Sequence, residues 1–350
     1  MKVLFATTHA YPPLRVGGSE SSTHDLCLTL QDLGVDVAVL SSSLRRRSTG
    51  ALDLVRAFPR RTSSAVRDEE CGYPVDRAPS PAAAAQAVVG DVRPDVAVIQ
   101  AGRSLALAER LVRLGVPTLV YLRDDVFTKL GGAVRESAEL QYVATSHDLA
   151  RRFEEGFGIA AAVIPPLVRP DRYRVDSRRS NVTFVCPFPV KGVDIAVGVA
   201  QRRPDVQFVF VESWELNPLR RAVLKRRLPP NVRFRPPVAD MREVYAETKI
   251  VLVPSRWAEA WGRVVSEAQV SGIPALASDR GGLPESVGPG GLLLDPDAGL
   301  DRWTEALGRM WDDEADYARL AALAERHAGR PDFEPRAIGA ALLSELERLA

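Results

Sequence analysis

Short apolar segments alternate along this chain with longer segments in which apolar residues recur every three or four positions. Residues 2–7 form the first apolar run, residues 19–33 have helical periodicity, and residues 35–40 are apolar again after Gly34. A strand, a helix and a strand in this order predict a βαβ unit with parallel strands.

The alternation continues to about residue 156, stops, and then restarts. The stretch 164–170 is punctuated by prolines and predicts an extended linker. We therefore expect an N-terminal domain at 1–170, a C-terminal domain at 171–330, and a C-terminal helix within 331–350 that packs back on the first domain. Later predicted strands are 96–100, 118–122, 142–145, 182–185, 207–212, 232–234, 250–253, 275–277 and 291–294.

This pattern is typical of an α/β protein with two doubly wound, Rossmann-like sheets. Ligands of such sheets bind at the carboxyl ends of the strands, where the loops gather. Two such domains that face each other would enclose a deep cleft. We expect the functional residues to come from the loops on both sides of it.

Composition and charge exclude several classes of protein. Apolar residues make up 46% of the 350 residues and charged residues 26%, with a net charge of +1, so nothing favours nucleic acid as a partner. The apolar run at the N-terminus is too short for a signal peptide, and no run reaches membrane length. These features predict a soluble, cytoplasmic protein.

Cysteine and histidine give no sign of a metal site. The cysteines Cys27, Cys71 and Cys186 are far apart, as expected for a reducing compartment, and the four histidines lack ligand spacing. We expect no metal and no cofactor.

The densest cluster of candidate chemistry lies at 259–268, which reads Glu-Ala-Trp-Gly-Arg-Val-Val-Ser-Glu-Ala. Glu259 would lie in a loop after a buried strand and Glu267 about two turns into the next helix, so the amides of residues 262–265 would form an anion site between them. The alternative is that both glutamates lie on a solvated helix face.

Three other loops carry candidates for the same cleft. Gly17-Gly18 follows the first strand, Lys191-Gly192 follows the first strand of the second domain, and Gly281-Gly282 precedes Pro284-Glu285. Glycine amides let a phosphate approach, and an ammonium can pair with a diphosphate. Gly17-Gly18 lacks the rest of a dinucleotide fingerprint.

In this order, these motifs resemble those of the retaining glycosyltransferases of family 4, the glycosyl transferases group 1 class. The resemblance covers nearly the whole chain and is most specific at 251–285. It implies the GT-B fold and a metal-independent hexosyltransferase-like enzyme. Such an enzyme moves a sugar from a nucleoside-diphosphate sugar, of the UDP or GDP type, to a hydroxyl by a front-face mechanism that retains the anomeric configuration.

The resemblance also implies roles for individual residues. Glu267 would bind the ribose hydroxyls, Glu259 the transferred sugar, Lys191 the diphosphate, and Gly18 the same phosphates from the other domain. Lys191, Glu259 and Arg123 would form the catalytic set. The implied donor-binding residues are Gly17, Gly18, Lys191, Glu259, Trp261, Gly262, Arg263, Val264, Val265 and Glu267.

Two positions depart from the family pattern. No arginine precedes Lys191, so Arg263, Arg256 or Arg280 is a candidate for the second cation at the diphosphate. Arg123 stands where many members have a histidine, which favours an anionic group on donor or acceptor; alternatively, Arg123 pairs with one of the neighbouring aspartates.

The acceptor is expected to meet loops of the first domain. The candidate wall residues are His9, Tyr11, Arg15, Arg103 and Asp125. Because the first domain lacks a long basic amphipathic helix with exposed aromatics, a small or soluble acceptor is favoured over a lipid-linked one. Two other functions stay open: a sugar-nucleotide epimerase of the same fold, and a non-catalytic nucleotide-sugar-binding scaffold.

Overall fold

The computed structural model describes residues 1–14, 17–43, 45–46, 52–53, 65–213 and 216–350. It divides into two compact units. Unit 1 comprises Met1–Leu167 and Glu334–Ala350, and unit 2 comprises Val168–Phe333. Each unit is described by itself.

Unit 1 is built on an eight-stranded sheet whose central strands are almost wholly apolar. Val3, Leu4 and Phe5 are fully buried, as expected for a parallel sheet covered on both faces. The strand order is β10-β9-β8-β7-β1-β2-β6-β5, and only the edge strand β5 is antiparallel to its neighbour. The strands are β1 Lys2–Ala10, β2 Asp36–Ser42, β3 Arg45–Arg46, β4 Leu52–Asp53, β5 Val66–Asp68, β6 Val75–Ala78, β7 Val96–Gln100, β8 Thr118–Leu122, β9 Leu140–Ala144 and β10 Ala162–Val163, of which β3 and β4 pair separately.

The described residues of unit 1 include five α-helices. They are α1 Gly18–Asp32, α2 Pro81–Val92, α3 Ser104–Val112, α4 His147–Phe157 and α12 Pro335–Leu349. The last helix returns to this unit from the end of the chain. It buries Ile338, Leu342 and Leu346 in the core that α1 and the sheet share, and Gly339 lies close to Thr29.

Unit 2 has a parallel sheet of six strands in the order β13-β12-β11-β14-β15-β16. Its strands are β11 Asn181–Val185, β12 Phe208–Val211, β13 Val232–Arg235, β14 Thr248–Val253, β15 Ala275–Ser278 and β16 Gly291–Leu294. Its helices are α5 Val193–Arg202, α6 Pro218–Arg227, α7 Arg242–Tyr245, α8 Arg263–Gln269, α9 Leu283–Val287, α10 Leu300–Asp312 and α11 Glu314–Ala328.

The first strand is longer than its apolar pattern predicts. It continues past residue 7 to Ala10, so His9 lies within the strand and not in the loop after it.

Among the described residues, no helix combines the length and the apolar character needed to cross a bilayer.

Candidate active site

Three loops of unit 2 meet beside one another because the strands they follow are neighbours. Strand β14 lies between β11 and β15, and all three run parallel. The loop after β11 carries Lys191, the loop after β14 carries Glu259, and the loop after β15 carries Gly281 and Gly282. The carboxyl ends of neighbouring parallel strands therefore bring the three sequence motifs together.

Two glycines permit the close contact between these loops. Gly192 has a φ of +76°, and a Cβ there would overlap the carbonyl oxygen of Pro254. Gly281 has a φ of +61°, and a Cβ there would lie 2.5 Å from the carbonyl oxygen of Glu259. The amide of Gly282 donates to that same oxygen at 2.7 Å. These positions require glycine both for the backbone conformation and for space.

Lys191 and Glu259 form an ion pair at the centre of the three loops. Lys191 Nζ lies 2.6 Å from Glu259 Oε1, with 17% and 13% of the two side chains exposed. Ser255 Oγ donates to the same carboxylate oxygen at 2.9 Å. The pair is thus largely desolvated but still accessible, which is the environment in which a charge acts strongly on a bound anion.

Glu267 lies in a buried network of its own. Its Oε2 accepts from the hydroxyl of Tyr245 at 2.8 Å, and its Oε1 lies 3.0 Å from Arg263 Nε, an ion-pair contact. Arg263 Nη2 donates to the hydroxyl of Tyr173 at 2.9 Å. Burial, with the nearby charge of Glu267, raises the pKa of Tyr245 well above its usual range. Tyr245 therefore stays protonated and acts as a donor.

The network gives Arg263 a role that the sequence did not indicate. Arg263 is only 8% exposed, and its guanidinium contacts Glu267 and Tyr173, so it holds the carboxylate in place. The tyrosines of this network were missed. Tyr245 is 22 positions from Glu267 in sequence, and only the fold brings them together.

Helix α8 begins later in the sequence than predicted. It begins at Arg263, so Glu267 is its fifth residue and lies about one turn in, not two. Gly262 caps it with a φ of +92°, and a Cβ there would lie 2.5 Å from Leu283 Cδ2. The amide of Val265 already donates to the carbonyl of Gly262 at 2.9 Å, and Val264 is half-buried. Of the predicted anion-facing amides, that of Val265 is thus engaged in the helix.

The side chain of Trp261 is not placed to bind a ligand. It is 4% exposed, its Nε1 donates to Ser266 Oγ at 2.9 Å, and its ring packs against Phe333. The expectation that Trp261 contacts the donor is corrected to a packing role, because the indole and its N–H are both used inside unit 2.

The other two candidate cations lie on the rim of the loops. Arg256 pairs with Asp194 at 2.7 Å and with Asp297 at 2.8 Å. Arg280 donates to the backbone carbonyl of Arg256 at 2.9 Å and lies 3.8 Å from Asp297. Both are more exposed than Arg263, with about 40% of each side chain accessible, and remain candidates for the second cation.

In unit 1, Arg123 binds polar groups at the end of β7 and on α1, and it packs on an aromatic ring of β8. Its Nε donates to Gln100 Oε1 at 2.6 Å, its Nη1 donates to Ser22 Oγ at 3.0 Å, and its guanidinium lies 4.0 Å from the ring centre of Tyr121. Burial raises the pKa of Tyr121 to about 12, an effect that the charge of Arg123 opposes. Arg123 is half-buried, so part of it remains accessible.

The residues expected at the acceptor site have different surroundings. His9 is 25% exposed, with Nδ1 3.7 Å from Glu20 Oε1, and the backbone amide of Arg103 donates to Thr8 Oγ1. His9 and Arg103 therefore lie at the ends of the neighbouring strands β1 and β7. The sequence motifs did not identify Glu20, although it follows Gly17-Gly18 closely. In the structure, a Cβ at Gly17 would lie 2.7 Å from the Glu20 carboxylate.

Two of the expected acceptor residues are engaged elsewhere. Tyr11 is 1% exposed and its hydroxyl bonds to that of Tyr73 at 2.8 Å, so it belongs to the core of unit 1 and cannot line a binding surface. Asp125 pairs with Arg152 at 3.0 Å and is 15% exposed. Arg15 lies outside the described residues. Gly18 is exposed at the first position of α1.

Among the residues that the structure describes, no group of three or more histidine, cysteine, aspartate or glutamate side chains could hold a metal ion. The candidate site of unit 2 contains the ion pair of Lys191 with Glu259 and the buried network of Glu267, Arg263 and Tyr245.

Comparison with known families decides the class of the second unit. Residues 187–327 match the family model described as glycosyl transferases group 1, and this range contains Lys191, Glu259 and Glu267. Unit 2 therefore carries a glycosyl transferases group 1 domain. Over this range, the resemblance to the glycosyl transferases group 1 class is confirmed.

Relatives in sequence match part of the chain. The D-inositol 3-phosphate glycosyltransferase of Rhodococcus opacus (strain B4) is 41% identical over 112 residues, which is 31% of this chain and 25% of that protein. That of Pseudarthrobacter chlorophenolicus is 31% identical over 156 residues, 40% of this chain and 37% of that protein. The matched stretches thus span 25% and 37% of the length of these two relatives.

Solved structures match over the full length. Sucrose-phosphate synthase from Thermosynechococcus elongatus has a TM-score of 0.79 at 17% identity, covering 99% of this chain and 98% of that one. HepE of Anabaena, solved in complex with UDP-glucose, has a TM-score of 0.78 at 19% identity, covering 99% of each chain. These likenesses show the fold, and the predicted GT-B class of two Rossmann-like units is confirmed.

Proposed function

We propose that this protein is a retaining glycosyltransferase that transfers a sugar from a nucleoside-diphosphate sugar to a hydroxyl acceptor, without a metal ion. The observation that carries the proposal is the desolvated Lys191–Glu259 pair, 2.6 Å apart, on the loops after two neighbouring strands of a group 1 domain. A diphosphate needs such a cation, and a sugar hydroxyl needs such a carboxylate.

Lys191 would change partners when the donor binds. In the structure its charge is balanced by Glu259. The diphosphate brings a stronger anion to Lys191, which leaves the Glu259 carboxylate to accept hydrogen bonds from the transferred sugar, with Ser255 still holding one oxygen. Negative charge on the leaving nucleoside diphosphate would then be stabilised by the ammonium group.

Glu267 would bind the ribose of the donor. A carboxylate is a natural acceptor for two adjacent hydroxyls, and Arg263 and Tyr245 fix its orientation before the ligand arrives. HepE, which has a similar fold, was solved with UDP-glucose, and this supports a UDP-sugar as the first donor to test.

The proposed reaction proceeds on one face of the sugar. The bond between the anomeric carbon and the diphosphate oxygen breaks, and the acceptor oxygen attacks the anomeric carbon from the same side. The acceptor proton passes to the leaving phosphate oxygen, so the products are the glycoside and a nucleoside diphosphate with retained anomeric configuration. Arg123, accessible in unit 1, is the candidate for binding an anionic group of donor or acceptor.

A donor panel tests the function. The full chain is incubated with UDP- and GDP-sugars, with small hydroxyl acceptors that include an inositol phosphate, and with a chelator in parallel. We expect release of one nucleoside diphosphate, undiminished by the chelator, and an acceptor glycoside whose NMR coupling shows retention. Sugar conversion without release would indicate an epimerase, and binding without either would indicate a scaffold; both would contradict the proposal.

A further inference from the structure

Helix α6 differs from the other long helices of unit 2 because none of its residues is buried. It spans Pro218–Arg227 and joins β12 to β13, the edge strand of the sheet. Its ten residues include five arginines and lysines and no acidic residue. A helix normally buries one apolar face, so an exposed helix of this composition needs another explanation.

The helix has one side that contacts the protein and one that does not. Arg221 pairs with Glu212 at 2.8 Å, Lys225 Nζ lies 5.3 Å from the ring centre of Phe234, and Leu224 is half-buried. Leu219 and Val223, one turn apart, are 74% and 47% exposed. Both are aliphatic side chains that solvent alone does not favour.

The exposed apolar pair is surrounded by positively charged side chains. Arg220, Arg226 and Arg227 are all exposed and flank the pair at helical spacing. Within the part of the chain that the structure describes, no carboxylate forms an ion pair with any of the three. By contrast, exposed arginines on other helices do pair, such as Arg302 with Glu305 and Arg348 with Glu345.

This arrangement has the chemistry of a membrane-contacting surface. Leucine and valine can enter the headgroup boundary of a bilayer, while the long arginine side chains keep their guanidinium groups among lipid phosphates. A nucleic acid would use the charge but has no use for exposed aliphatic side chains, since bases stack on aromatic ones. Charge complementarity and the apolar pair together therefore favour an anionic lipid surface.

We propose that the exposed face of α6, formed by Leu219, Arg220, Val223, Arg226 and Arg227, docks unit 2 reversibly onto bilayers that contain anionic phospholipids. The face is small, so the attachment is weak and falls as salt screens the arginines. The proposal concerns attachment of the protein and does not depend on which reaction it catalyses.

Co-sedimentation of the full chain with vesicles tests the proposal. We expect the protein to bind vesicles of phosphatidylcholine that contain about one third phosphatidylglycerol, and not to bind vesicles of phosphatidylcholine alone. Binding to the anionic vesicles should be about tenfold weaker, or more, at about 0.5 M salt than at about 0.1 M salt. Absence of binding to the anionic vesicles at low salt would overturn the proposal.

Two variants separate the contributions of charge and apolar contact. The triple variant Arg220→Gln, Arg226→Gln, Arg227→Gln should lose vesicle binding, whereas Arg302→Gln, Arg319→Gln, Arg348→Gln, which removes three other exposed arginines, should keep it. The double variant Leu219→Ser, Val223→Ser should bind vesicles about tenfold more weakly while binding heparin as the wild type does.

Because these side chains are exposed, all the variants should keep the wild-type melting temperature. If the Leu219→Ser, Val223→Ser variant bound vesicles as tightly as the wild type, vesicle binding would be explained by non-specific attraction to polyanions. Equal loss in both arginine triples would likewise show that total charge, not α6, is responsible. Either result would overturn the proposal.

Discussion

The carboxylate of Glu267 has a protein partner at each oxygen, Tyr245 at one and Arg263 at the other. Such a carboxylate is oriented before a ligand arrives, and its orientation depends on residues that need not touch the ligand. The proposed affinity for the donor therefore depends on the buried triad of Glu267, Arg263 and Tyr245, and not on Glu267 alone.

The hydroxyl of Tyr245 is the most specific test of that triad. In Tyr245→Phe the ring stays but Glu267 Oε2 loses its buried donor, which is worth about 1.5–3 kcal/mol for a charged acceptor. We expect the KM for the donor to rise about tenfold or more with a smaller change in kcat, as measured by nucleotide release at varied donor concentration.

Tyr317→Phe is the matched control. Tyr317 is also buried in unit 2, at 5% exposure, but its hydroxyl has no hydrogen-bond partner among the described residues. Its donor KM should stay at the wild-type value. Equal KM values in the two variants would show that Tyr245 does not position Glu267.

At the scale of elements, the candidate site depends on how closely loops after neighbouring strands approach. Gly192→Ala would place a methyl group against the carbonyl oxygen of Pro254 and would also strain a φ of +76°. We expect it to lower the free energy of unfolding by more than the roughly 1 kcal/mol of the backbone effect alone, and to impair nucleotide release, because the Lys191 loop must move.

Gly299→Ala isolates the backbone effect. Gly299 has a φ of +81°, but a Cβ there would have no atom within 4 Å beyond its chain neighbours among the described residues, so only the conformational penalty applies. In denaturant unfolding, Gly192→Ala should have a clearly lower free energy of unfolding than Gly299→Ala. If Gly192→Ala is no more destabilising than Gly299→Ala, the packing between the loops is looser than the structure indicates.

Helix α11 contributes a pH-dependent contact with helix α9 and the glycine that follows it. His327 is 8% exposed, donates from Nε2 to the carbonyl of Glu285 at 3.1 Å, and lies against Gly288. Burial, and then the charge of Arg330, lowers the pKa of His327 below its ordinary value. The folded state thus binds this proton less readily than the unfolded state does.

The consequence is a loss of stability on the acidic side. The stabilisation that comes from neutral His327 is complete above about 6.5, the pKa of histidine in the unfolded chain. It is lost as the pH falls from there through the lower pKa that His327 has in the folded state. The free energy of unfolding should therefore fall more between about pH 7.5 and 5.5 in the wild type than in His327→Gln. A difference between the two proteins that does not change with pH would contradict this account.

Sequence periodicity predicted the fully buried strands best and missed several helices. Strands β7 and β8 were predicted at their observed bounds because every residue in them is buried. Helix α6 was not predicted, since it buries nothing and leaves no apolar period. Helices α10 and α11 were also not predicted, although Trp303, Leu307 and Met310 supply a period that could have revealed α10.

The candidate site was predictable only in part, for a related reason. Motifs identified Lys191, Glu259 and Glu267, and the sheet order brings their loops together. The partners of Glu267 could not be found, because Tyr173 and Tyr245 reach it through packing and not through sequence spacing. Tyr11 was misplaced because a residue after a strand can enter the core as readily as a cleft.

At the scale of the whole molecule, the end of the chain completes the unit that the beginning forms. Leu342 on α12 is fully buried in the core of unit 1. Leu342→Ala should lower the free energy of unfolding by about 2–5 kcal/mol, measured by denaturant titration. Glu347→Ala, an exposed change on the same helix, should have little effect; an equally small effect of Leu342→Ala would show that unit 1 does not need α12.

The central claim is that unit 2 holds a nucleotide-sugar through Lys191 and Glu267, and donor-dependent release of the nucleoside diphosphate tests it most directly. Lys191→Ala and Glu267→Ala should each reduce kcat/KM by about 100-fold or more, while Lys225→Ala, an exposed lysine of the same unit, should match the wild type. Undiminished release by both site variants, at wild-type stability, would contradict the account.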